Sequence, residues 1–170
     1  MSFRQVLTFP NPVNEKAARS VAALVVGLAA LTLLTQWWWL SVLLTIGFAL
    51  RVAGGPRFSP LGRLAVHVIA PRLGPARLVP GPPKRFAQTV GLVFSGAAAV
   101  AALGFGATAI ASVLLAVLVV FALLESALGF CAGCWVFGHL MRLGVIPEDT
   151  CEACNNLSLR HPQAELQPQA

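Results

Sequence analysis

Residues 86–130 read FAQTVGLVFSGAAAVAALGFGATAIASVLLAVLVVFALLESALGF, a run with one acid, Glu125, and no base. As one straight helix it would be about 68 Å long at 1.5 Å per residue, more than twice a hydrocarbon core of about 30 Å. It must therefore turn. Gly104-Phe105-Gly106 is the natural place, which predicts two membrane spans over about 87–103 and 107–129. The first of them is rich in small residues (Gly91, Ser95, Gly96, Ala98, Ala99), which let helices approach closely in lipid.

A second uncharged run, Ser20–Leu50, precedes it. It is also too long for one upright span, and Thr35-Gln36 followed by Trp37, Trp38 and Trp39 marks a turn in the headgroup belt, where indoles are favoured. Spans over about 20–35 and 37–52 follow. Hydrophobic residues make up 57% of the chain and charged residues 11%, with mean hydropathy +0.78; a water-soluble domain carries roughly 25% charge. The expected fold is an all-α integral membrane protein of four transmembrane helices, arranged as two hairpins in the lipid bilayer.

Between the blocks, residues 51–86 are dense in glycine and proline and carry seven of the twelve Lys/Arg. Ser59-Pro60 is a helix start, with serine capping and proline in the first turn. Leu61, Leu64 and Val68 then share a face, which predicts an amphipathic interfacial helix in the central loop, lying on an anionic leaflet. A membrane domain over 1–144 is followed by a short CxxC segment at 145–157 and a tail at 158–170 whose Pro/Gln-rich composition predicts disorder.

The twelve bases behind the net charge of +6 are confined to the N-terminus, the central loop and the C-terminal part, while the turns near Gln36 and Gly104 carry none. Bases that flank apolar runs orient a protein in a membrane; they do not line a phosphate-tracking groove, so nucleic acid is excluded as a partner. The positive-inside rule puts both termini and the central loop in the cytoplasm.

Four cysteines form two pairs, Cys131/Cys134 and Cys151/Cys154, in a C-x2-C-x16-C-x2-C pattern. Two chemistries fit it: a vicinal-dithiol redox or sulfur relay, or a closed tetrahedral zinc site built by all four thiolates. A permanent disulfide is disfavoured on the cytoplasmic side. The apolar helical pattern continues past the first pair through Trp135, His139 and Leu140, and Cys151 falls in the first turn of a segment capped by Asp149 or Thr150. Glu125 is the one ionisable residue deep in a span, about 9 Å along the axis from Cys131. A carboxylate there must face the bundle interior, be protonated, or pair. Its two readings are a proton carrier for the thiols and an interhelical hydrogen bond to a serine or to the turn near Gly129. His139 is an auxiliary candidate, as thiol-activating base, metal ligand or interfacial side chain. Arg51 is expected to anchor the end of the second span.

The strings Pro12-Val13-Asn14-Glu15-Lys16-Ala17-Ala18-Arg19, Arg57-Phe58-Ser59-Pro60-Leu61, Pro83-Lys84-Arg85-Phe86-Ala87-Gln88 and, above all, Leu124-Glu125 to Gly129-Phe130-Cys131-Ala132-Gly133-Cys134 resemble a bacterial membrane family, domain of unknown function 4395. The resemblance covers about residues 10–144. It implies a multi-pass protein of the bacterial inner membrane, marks Glu125, Cys131 and Cys134 as family positions, and supplies no substrate. A thiol relay would take a thioredoxin-like or sulfur-carrier protein, or a quinone, as partner. The rival is a membrane scaffold or transporter subunit whose four cysteines hold a structural zinc ion.

Overall fold

The computed structural model describes residues 9–147; Cys151, Cys154 and the tail lie outside the described residues. A two-residue strand, β1 (Val13–Asn14), leads into helix α1 (Glu15–Thr35), and α2 (Trp39–Gly54) returns. A helical turn and the short helices α3 (Pro60–Leu64) and α4 (Ala70–Arg72) form the central segment, joined by a wide π turn over Ala65–Ile69. Strand β2 (Leu78–Val79) pairs antiparallel with β1, and α5 (Gly81–Ala99, extended by a π turn to Gly104), α6 (Thr108–Leu128) and α7 (Ala132–Arg142) follow among the described residues.

Four helical stretches are long and apolar enough to cross a membrane: Glu15–Thr35, Trp39–Arg72, Gly81–Gly104 and Thr108–Leu128. The four-span expectation holds. Both turns fall where the sequence puts them, with Gln36 left-handed (φ 55) after α1 and Gly106 left-handed (φ 65) before α6. The boundaries differ at the charged end. Helix α1 starts at Glu15, capped by Asn14 accepting from the Lys16 amide at 3.0 Å, and takes up Lys16 and Arg19. Charge delimits the hydrocarbon layer but does not end a helix, because a capped turn in the headgroup zone keeps its backbone bonds.

The most extensive packing runs across the hairpins, α2 on α5 and α1 on α6, whereas sequential partners touch less. Small residues make this possible. Ser95, Ala98, Ala29 and Ala111 are fully buried, and a side chain at Gly91 would collide with the Phe48 ring. Leu44 and Leu115 fill the centre. Dispersion between closely approaching backbones holds such a bundle in lipid.

In the central segment Ser59 caps α3 through the Gly62 amide and Pro60 takes the first position, as expected. Gly62, Ala65 and Ala70 face inward, and Leu64 and Val68 lie on the exposed side. Arg51 does more than anchor the end of α2. It is 2% exposed, its guanidinium lies 4.4 Å over the Phe48 ring, and it donates to the Gln88 side-chain oxygen at 2.7 Å and to Ser59 Oγ at 3.1 Å. One arginine thus ties α2 to α3 and α5. Arg51→Leu should lower stability by about 1–3 kcal/mol for each buried partner left unpaired, read from thermal unfolding in detergent; an unchanged midpoint would contradict this role.

Candidate functional site: a dithiol beside a buried ion pair

Helix α6 ends at Leu128 because Gly129 turns left-handed (φ 69) and its amide closes back on Glu125. Arg19 of α1 seals the same end, donating to the Ser126 carbonyl at 3.0 Å and the Ala127 carbonyl at 2.8 Å. The helix does not run through the first cysteine pair, contrary to the periodicity. Cys131 is instead the N-cap of α7, with extended backbone (φ −98, ψ 103), and Cys134 lies in the first turn. The left-handed glycine makes the break, since a continuous helix would carry the thiols past the end of the bundle.

Helix α7 folds back onto α5. Phe137 and Met141 pack with Phe86 and Ile146, and a side chain at Gly133 would collide with Ala87. This close approach sets the two thiols against the start of α5. Both are free; Cys131 is buried and Cys134 half-buried. Residues three apart at a helix start hold their Cβ atoms about 5–6 Å apart, close enough for a disulfide after small rotations.

Glu125 pairs with Lys84. Nζ to Oε1 is 2.7 Å, and the side chains are 8% and 13% exposed, lysine first. Of the readings of Glu125, pairing is the one realised, and its partner is a base rather than a serine or the Gly129 turn. Lys84 escaped the sequence reading, which counted it only among the topology-setting bases. A signal was there: Lys84 lies twenty-one residues before Phe105 and Glu125 twenty after it, so a simple hairpin sets them level.

The same pair acts on the thiols. Cys131 is held below the ordinary cysteine value, first by the hydrogen bond from Cys134 and also by the Lys84 charge, against burial and the Glu125 charge. Cys134 is pushed up, first by its bond to Cys131 and then by burial and the charge on that sulfur. The two sulfurs are thus displaced in opposite directions by the one hydrogen bond between them. His139 is exposed; its Nδ1 lies 3.0 Å from the Trp135 carbonyl and its ring 4.0 Å from the indole of Trp135. It does not line the cavity that Cys131 borders.

That cavity, about 320 Å³, lies between α1, α2, α5, α6 and α7. Its lining is apolar apart from Cys131, Glu125 and Gln88. Among the described residues no three His, Cys, Asp or Glu side chains gather as a metal site; the zinc alternative needs Cys151 and Cys154, outside them.

The model of one protein family, described as a domain of unknown function (DUF4395), matches residues 13–142. The chain belongs to that family. The match takes in the whole described bundle, from β1 to the end of α7, so the Lys84–Glu125 pair and the first thiol pair are parts of the DUF4395 domain. No curated protein and no solved structure matches the chain.

Lys84→Met alone should cost about 3–5 kcal/mol by stranding a buried carboxylate, while Lys84→Met with Glu125→Leu should recover most of that loss; detergent melting curves of the two variants read it. The reactive form of a thiol is the thiolate, so Cys131 should react with a small methanethiosulfonate at a pH below the usual cysteine range. Cys134→Ala, which removes the main stabilising bond, should move that profile to higher pH.

Proposed function

We propose that this DUF4395 protein is a membrane-embedded thiol–disulfide oxidoreductase of the bacterial inner membrane. One observation carries the reading: a vicinal thiol pair with oppositely perturbed acidities packed beside a buried Lys–Glu ion pair. Such poise is useless to an inert packing cysteine and is what exchange chemistry needs. The half-buried Cys134 is the less enclosed of the two cysteines and is the one a soluble donor meets in this reading. A thioredoxin-like dithiol attacks the oxidised pair at Cys134 Sγ; the S–S bond breaks and Cys131 leaves as the stabilised thiolate. The donor's second thiolate then attacks the mixed disulfide, so the donor becomes a disulfide and Cys134 leaves as a thiolate. The two protons given up by the donor balance the two thiolates formed. Glu125, next to both sulfurs through Lys84, holds a proton in transit. Cys151 and Cys154 serve as a shuttle pair between donor and membrane site.

The basic end faces the cytoplasm in this reading. Ten of the bases lie among residues 9–147, none of them at the Gln36 or Gly104–Gly106 turns. The crossing contacts Lys16–Leu73, Arg19–Ser126, Arg51–Gln88 and Lys84–Glu125 gather the N-terminal ends of α1 and α5 and the C-terminal ends of α2 and α6 at one side.

Purified protein with Cys151 and Cys154 replaced by serine should lose two titratable thiols in diamide and regain them in dithiothreitol, with no bound metal by mass spectrometry. Thiols that resist oxidation, or stoichiometric zinc in the wild type, would end this reading. For sidedness, an alkaline phosphatase fused after Gly106 should be active and one fused after Gly144 inactive; the reverse pattern would invert the topology.

A further inference from the structure

The cavity beside Cys131 bears on where the electrons go. A pair reduced from the water side has to be reoxidised, and Cys131 is 9% exposed, too enclosed for a second protein's disulfide. It does border the cavity of about 320 Å³, a volume within the roughly 300–1,000 Å³ range of small-molecule sites. The cavity opens at the surface of the bundle beside Phe121, on the membrane-spanning helix α6, and Val136 on α7, which are 43% and 39% exposed. A molecule entering there comes from the bilayer and must be apolar over most of its length. Aromatic rings, Phe48, Phe86 and Phe94, line the interior.

The polar end is also specific. Gln88 borders the cavity, and its side-chain oxygen accepts the Arg51 Nε–H at 2.7 Å. Arg51, buried and clamped on Phe48 and Ser59, therefore fixes which way the amide points. The Gln88 NH2 group has no partner among the described residues and is not sealed from accessible space. Gln88 lines both this cavity and a smaller one beside Phe9 and Pro56, so its NH2 is a donor available at the wall of a cavity that also presents a nucleophilic sulfur and a carboxylate.

We infer that the cavity binds a membrane quinone, its ring among the phenylalanines with one carbonyl on Gln88, and that this quinone takes the electrons of the Cys131/Cys134 dithiol. The inference rests on the thiol-redox reading above. Cys131 gives its proton to Glu125 and its sulfur adds to a ring carbon, while Glu125 passes that proton to the ring oxygen. Cys134, giving its proton to Glu125, attacks Cys131 Sγ; the S–S bond forms and the C–S electron pair returns to the ring. The second oxygen is then protonated. Two thiols become a disulfide, and the quinone becomes a quinol with both protons. A lipid-soluble acceptor of two electrons and two protons is what an apolar cavity ending in a dithiol and a carboxylate can use.

The test uses the full chain, reduced, in nanodiscs, with a short-chain ubiquinone as probe and its ultraviolet absorbance as readout. One quinone should be consumed per Cys131–Cys134 disulfide formed. Gln88→Leu should raise the quinone KM by roughly fivefold for the lost hydrogen bond. Ala122→Phe, which puts a ring into the cavity, should cut the rate at low quinone by at least about tenfold; Val136→Trp, at the exposed mouth, does the same without touching the packed core. If diamide closes the disulfide in wild type but the quinone does not, the quinone assignment fails and the thiol-redox reading stands. If diamide does not close it either, both fail. Wild-type quinone rates in Ala122→Phe and Val136→Trp would place the reaction elsewhere and overturn the assignment.

Discussion

The buried bond between Lys84 and Glu125 is the constraint around which the charged end of the bundle is organised. Taking both ions out of water costs several kcal/mol each, and their attraction returns that only when geometry and burial are good. Such a pair is therefore weak as a source of stability and strong as a source of register, since every slip of α5 against α6 strands a charge. It fixes the level at which α6 ends, and so the place from which the chain must leave for α7. Everything about the thiols follows from that level.

The bases at this end bond to the protein's own backbone. Lys16, Arg19 and Arg85 donate to backbone carbonyls of Leu73, of Ser126 and Ala127, and of Val52. Carbonyls at helix ends and bends have lost their in-helix partners, and a cation there satisfies them and opposes the negative end of the dipole. The bases that flank the apolar runs thus close the protein's helix ends. Arg51 is the extreme case, since it is wholly inside and one of its terminal nitrogens has no partner among the described residues. Its use is to hold three elements and one amide in a single orientation.

The two thiols differ in their surroundings across the first turn of α7. Cys131 is buried and borders the apolar cavity, whereas Cys134 is half-buried and does not line it. Glycines set this up at both ends of the GFCAGC string. Gly129 supplies the left-handed turn, and Gly133 the contact with Ala87 that no side chain could share.

Composition and charge placement were enough to establish the membrane class, the four spans, the turns at Gln36 and at Gly104–Gly106, the Ser59 cap and the need of Glu125 for a partner. These are local or additive properties, written in runs of apolar residues, in turn chemistry and in the cost of a charge in hydrocarbon. The identity of that partner, the inward turn of Arg51, the break of the helix before Cys131, the orientation of the Gln88 amide and the cavity itself came only with the tertiary structure. Lys84 and Glu125 are 41 residues apart, and Arg51 and Gln88 are 37. Periodicity says which face of a helix is buried but not which neighbour it meets. That choice depends on how closely small residues let the helices approach, which is a property of pairs of surfaces and not of any one segment.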